Sequence, residues 1–309
     1  MSAYEYQQLQ SQRGQLKEIL AQVPADQVID RLSLESRIKW LDDSLRAMQE
    51  PTRIPAKARL TFRGKPVVGH HGIFAEFGAA VVGKFSDAVA ALAANLVGPL
   101  GSRGTLPNRE SYRMLITGTA IGSFGFELEE HVRCDELPFP DLSPVTEAIG
   151  QAKTIMEATL GTDDDLAEAA SETDPRALAA LREFIKTMAD HDAVCSLEFA
   201  GKQFRFSDVG EVRRSMDRLS QDTIHEQEET INGAFLGVLP RRRSFEFSIA
   251  DRDEIISGKV GGSIENAADI NHVLEQPVQI TVLSTCVGNG HPRYRLLKYE
   301  NQNVRKTNA

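Results

Sequence analysis

Arg241, Arg242 and Arg243 follow Pro240 without interruption, and a second turn farther on holds Asn289, His291 and Arg293. Guanidinium and imidazolium groups grouped in this way bind anions, because each phosphate needs a cation within hydrogen-bonding reach. A glycine-rich run from Gly98 to Arg109 adds Arg103 and Arg109, which could grip a smaller anion. It is no phosphate loop: it leaves a helical pattern and enters a strand, and it lacks the GKS or GKT ending. His70 and His71 are neighbours, and adjacent residues on an extended chain point to opposite sides, so they cannot share one metal. The other histidines are scattered, with no HxxxH or HExxH pair. Asp163, Asp164 and Asp165 precede an alanine-rich helical stretch, where acids favour the helix dipole. GxSxG is absent, and Gly122-Ser123-Phe124-Gly125 has the wrong spacing. The expectation is no catalytic constellation, no metal and no cofactor.

The elements that must carry these groups are legible in outline. Leu9, Leu16 and Val23 recur at seven-residue spacing before Pro24. Leu34, Ile38, Leu41, Leu45 and Met48 then alternate at four and three, the pattern of a coiled-coil seam. Residues 1–50 are expected as a helical hairpin, with that seam either packed on its own domain or forming an oligomer contact. After Pro51 and Pro55, residues 59–69 read as a hairpin about Gly64-Lys65. Phe74, Phe77, Val81, Phe85, Leu92 and Leu96 give a helix closed by Gly98. Strands at 113–120 and 124–130 follow, then helices at 143–160 and 175–190 separated by the acidic loop 162–165. A hairpin at 194–206 and a helix from Asp208 complete residues 56–222 as an α+β domain, a helical layer on a mostly antiparallel sheet. The segments Leu60 to Lys65 and Leu197 to Lys202 look alike, which turn chemistry explains.

Residues 231–300 show strands at 231–239, 244–249 and 254–260, a helical stretch at 264–274, and strands at 277–287 and 293–299. This order is similar to an OB-fold, a five-stranded β-barrel. The resemblance implies a ligand face across the second and third strands, between the loop of Arg241, Arg242 and Arg243 and the loop of His291 and Arg293. A single-stranded nucleic acid or a protein partner are the two occupants it allows. Against nucleic acid, Phe245, Phe247 and Ile249 fill the inside, Glu246 faces outward, and Tyr294 and Tyr299 fall on opposite faces. The rest of the chain resembles bacterial proteins of no assigned activity. Residues 301–309 read as a polar tail.

The 309 residues carry a net charge of −9, which disfavours indiscriminate attraction to nucleic acid or anionic lipid. The acidity is local: residues 137–192 hold four basic and twelve acidic side chains, and residues 232–309 hold ten and eight. Three isolated cysteines fit a reducing cytosol. No basic-then-apolar leader opens the sequence, and the apolar run from Ile73 to Leu100 is interrupted by Glu76, Lys84 and Asp87. The expectation is a cytoplasmic, non-catalytic binding or assembly subunit with a protein partner or a second copy and no membrane. The alternatives are a single-strand binder and an unrecognised hydrolase.

Overall fold

The computed structural model describes residues 3–24, 27–47, 55–101, 103–120, 124–132, 143–220, 222–250, 252 and 254–301. Two helices, α1 (Ala3–Gln22) and α2 (Val28–Ala47), fold back on each other. Arg31 closes the bend by donating to the carbonyl of Val23 at 2.9 Å, and Arg13 donates to Asp42 at 3.2 Å along the pair. Ile38, Leu41 and Leu45 are buried and Leu34 is half-buried, so the seam is spent inside the hairpin of one chain. Met48 lies outside the described residues.

The middle of the chain is a sheet of β1 (Lys57–Gly64), β4 (Met114–Ala120), β5 (Phe124–Glu130), β6 (Ala193–Phe199) and β7 (Lys202–Arg205), in the order β4-β5-β1-β6-β7. Every ladder is antiparallel. The strict alternation of β1 buries Ala58, Leu60 and Phe62 and turns Lys57, Arg59 and Thr61 outward. The expected hairpin about Gly64-Lys65 does not form. Gly64, at φ +115°, turns the chain out of the sheet, and the N–H of Lys65 donates instead to Asp192. Pro66 has no N–H with which to continue a ladder. The next strand, β2 (Val67–Val68), pairs with β3 (Gly72–Ile73). The two look-alike segments pair with each other, Leu60 opposite Leu197. Only the second has the expected hairpin, with Ala200 and Gly201 at φ +50° and +72°.

Helices α3 (Ala75–Val97), α4 (Pro144–Leu160), α6 (Pro175–Asp190) and α7 (Val209–Arg218) cover the apolar side of the sheet. Phe77 of α3 meets Phe62 edge-on at 5.4 Å, and Phe85 meets Phe184 of α6 at 5.3 Å. By length and composition α3 could cross a bilayer, yet 56% of its apolar window is buried in this layer. Gly98 ends it in an extended conformation, φ 179°, where the sequence predicts a left-handed cap. The acidic triplet predicted as a loop opens a further helix, α5 (Asp163–Ser171), through a capping box between Thr162 and Asp165.

The last five strands are β8 (Ile224–Leu239), β9 (Ser244–Ile249), β10 (Ile255–Val260), β11 (Val278–Val287) and β12 (Arg293–Asn301). They pair in the order β10-β12-β11-β8-β9, and β9 returns to β10, so the sheet closes in a ring. The closing pair β10–β12 is parallel, with Gly258 opposite Tyr294. β8 starts seven residues earlier than the sequence predicts: residues 224–230 lack apolar alternation and are strand because β11 pairs with them. The stretch between β10 and β11 is a 3₁₀ helix, Ala267–Val273. Phe235, Phe245, Phe247, Ile280 and Leu296 form the ring's own core, separate from that of the layer. Val287 of β11 buries its side chain in the layer's core, and its partner Ile224 of β8 packs against the same core.

Candidate binding cleft

A cleft of about 450 Å³ runs between the ring and α5. The ring contributes Ser244 and Glu246 of β9, Ser257 and Lys259 of β10, and Val238 and Leu239 of β8. Arg293 and Tyr294 of β12 complete the ring's share of the lining, and Glu168 and Ser171 come from α5. Leu239 and Ser244 flank the turn of the three arginines, and Arg293 leaves the loop of His291. Residues beside both predicted basic loops thus border one cavity.

Its cations are already engaged. Asp164, Glu168 and Glu172 recur every four residues along α5 and its C-cap, so they share one helix face. Each takes a different partner from the ring. Asp164 accepts the backbone N–H of His291 at 2.8 Å and stands 3.2 Å from its Nδ1. Glu168 lies 3.2 Å from Nε of Arg293, and Glu172 lies 2.9 Å from Nζ of Lys259. The His291 N–H and then its imidazole hold the Asp164 carboxyl below the usual range. Gly288 and Gly290 permit the close approach, since a Cβ on either would meet Asp163 at 2.7 and 3.1 Å. Asp163 itself accepts from Arg218 of α7 at 2.8 Å, which ties the helix start to the layer.

The three arginines divide. Arg243, at φ +47°, donates to the carbonyls of Val260, Gly261 and Ile264 at 3.2, 2.7 and 2.6 Å, and so serves as a clamp on the end of β10 rather than a free cation. Arg241 and Arg242 are exposed. Of the weaker anion pair, Arg109 stands 2.5 Å from Asp87, and Arg103 is exposed on a loop whose carbonyls at Gly101 and Gly104 are gripped by Arg176. The structure does not bring Arg103 and Arg109 onto a common partner. His70 and His71 stack on each other at 4.0 Å on an exposed turn. Among the described residues, no three His, Cys, Asp or Glu side chains converge as a metal site would require.

Sequence reading missed Lys259, Arg295, Glu168 and Glu172. The four-residue spacing of the acids was a usable signal. Lys259 stands alone in a strand and gave none. Comparison with family models, with curated proteins and with solved structures finds no significant match, so the cleft is interpreted from its own chemistry.

Proposed function

We propose that this chain is a non-catalytic binding subunit that assembles through its N-terminal hairpin. One observation carries the reading: α2 is apolar on two opposite sides. At 100° per residue, Ile29, Leu32 and Trp40 lie roughly opposite the buried seam of Leu34, Ile38, Leu41 and Leu45. They are 83%, 60% and 60% exposed. A surface helix has one apolar stripe facing its core, and a second stripe of this size marks a contact with another chain. A second copy is the occupant favoured, because a single helix face can satisfy itself about a twofold axis. Light scattering of the full chain checks this: a dimer is expected, and Leu32→Glu with Trp40→Glu should yield monomer. Trp40 is the sole tryptophan, so its emission reports the same step. A strictly monomeric wild type whose Trp40 emission is indifferent to concentration overturns the reading.

A second reading assigns the ring to single-stranded nucleic acid, on its OB-like strand order and on exposed Arg241 and Arg242 beside the cleft. Binding to a fluorescein-labelled oligothymidylate, weakened and made less salt-sensitive by Arg241→Ala with Arg242→Ala, is the expected result. No binding at low salt removes it.

A further inference from the structure

We infer that His291, Arg293, Arg295 and Lys259 form a row that takes the phosphates of a single strand, and that the α5 carboxylates Asp164, Glu168 and Glu172 occupy this row in its place. The inference rests on the nucleic-acid reading of the ring, and adds which residues bind and what restrains them.

The row is built by the ladder itself. Arg293 and Arg295 are two apart on β12 and share a face, and Lys259 of β10 lies directly opposite Arg295. Cations from two neighbouring strands and one loop therefore meet on the side of the ring that α5 covers. Opposite them, carboxylates four residues apart on a helix recur about every 6 Å along its axis, a linear array of single negative charges like that of an extended phosphodiester chain. Lys259, Arg293 and His291 each take one of these carboxylates. The fourth, Arg295, takes no carboxylate of α5; its buried Nε has no hydrogen-bond partner, and its charge acts on Glu226 of β8.

The carboxylates hold this position weakly enough to be exchanged. The paired side chains of Lys259 and Glu172 are 42% and 47% exposed, and those of Arg293 and Glu168 are 38% and 51% exposed. Solvated pairs of this kind contribute little and are screened by salt. A cation can therefore turn from a carboxylate to a phosphate without moving the ring off the layer, whose contact is secured separately by Val287 and Ile224. The OB-like strand order of the ring favours a nucleic-acid strand over inorganic polyphosphate; Tyr294, next to Arg293, alternates to the opposite face of β12 and packs against the ring's core.

The experiment uses the full chain and a fluorescein-labelled oligothymidylate, read by anisotropy across a salt series. Glu168→Gln with Glu172→Gln should bind at least about tenfold more tightly than wild type, with a log–log salt slope steeper by up to about −0.7 per cation released. Adding Lys259→Ala and Arg293→Ala to that variant should abolish the gain. Circular dichroism confirms folding, and Glu172→Gln alone, at the exposed C-cap, provides a milder version. If wild type binds and the double variant binds no more tightly, the ring reading survives and the carboxylate restraint is overturned. If neither binds, both fall. If the double variant takes polyphosphate but not the oligonucleotide, the assignment to a single strand is overturned.

Discussion

Lys65 donates to Asp192 at 2.5 Å across 127 residues of sequence, joining the exit of β1 to the entry of β6. Asp192 gives its other oxygen to Arg213 of α7 at 2.6 Å. Lys65, by hydrogen bond and by charge, holds this carboxyl below its ordinary pKa. A depressed carboxyl pKa contributes stability that is present above the unfolded value and lost as the pH falls through the folded one. Asp192→Asn should therefore flatten the acid limb of the stability curve, while still tolerating the φ of +50° at this position. Asp192→Val should lose more, because a β-branched residue resists that conformation. Thermal unfolding followed from pH 7 to pH 3 compares the three proteins, and parallel acid limbs in wild type and Asp192→Asn would contradict the assignment.

Cys195 of β6 is buried, and burial pushes its thiol pKa up to about 12. Alkylation requires the thiolate. Iodoacetamide at neutral pH should leave Cys195 unmodified in the folded protein and modify it after unfolding in urea, as read by peptide mass mapping. Rapid labelling of Cys195 in the native state would show that β6 opens far more readily than its packing implies.

Arg243 and its two neighbours should behave oppositely in a urea melt. Arg243→Ala removes the guanidinium donor from the carbonyls of Val260, Gly261 and Ile264, leaving Gly261 only the N–H of Ile264, and should cost about 1–3 kcal/mol. Arg241→Ala and Arg242→Ala, both at exposed positions, should stay within about 0.5 kcal/mol. Equal effects at all three positions would refute the clamp.

Phe235 is fully buried and meets Phe247, Phe245 and Tyr299 edge-on at 5.1, 6.0 and 6.0 Å. Phe235→Ala should cost about 3–5 kcal/mol. Because the ring and the layer have separate cores, that loss should appear in hydrogen exchange of the ring strands and leave the amides of α3 protected. Deprotection of both together would mean that the two cores unfold as one.

Local pattern carried most of the architecture. The strands Phe124–Glu130 and Ser244–Ile249 and the helices Pro144–Leu160 and Pro175–Asp190 stand where the sequence predicts them. What local pattern could not convey was pairing. Leu60 alternates as well for a hairpin as for a central strand, and only Leu197, far along the chain, decides between them. The seven-residue spacing in α2 was likewise visible, but whether Ile38 faces the same chain or another depends on where α1 lies. At the cleft, Arg293 was singled out from charge alone, while Arg241, Arg242 and His291 belong to turns beside it. That Glu168 and Glu172 stand against the ring was hidden, because helix and ring are far apart in sequence and meet only in the tertiary fold.

The parallel contact between Gly258 and Tyr294 sets an order on synthesis. As the nascent chain leaves the ribosome, the meander of β8, β9 and β10 is complete while the strand that seals it is still untranslated. Throughout that interval β10 shows an unpaired backbone edge, and so does the first half of β8, which awaits β11. Slow codons or a premature stop between Val260 and Tyr294 would prolong the interval and favour aggregation by strand addition between unfinished chains.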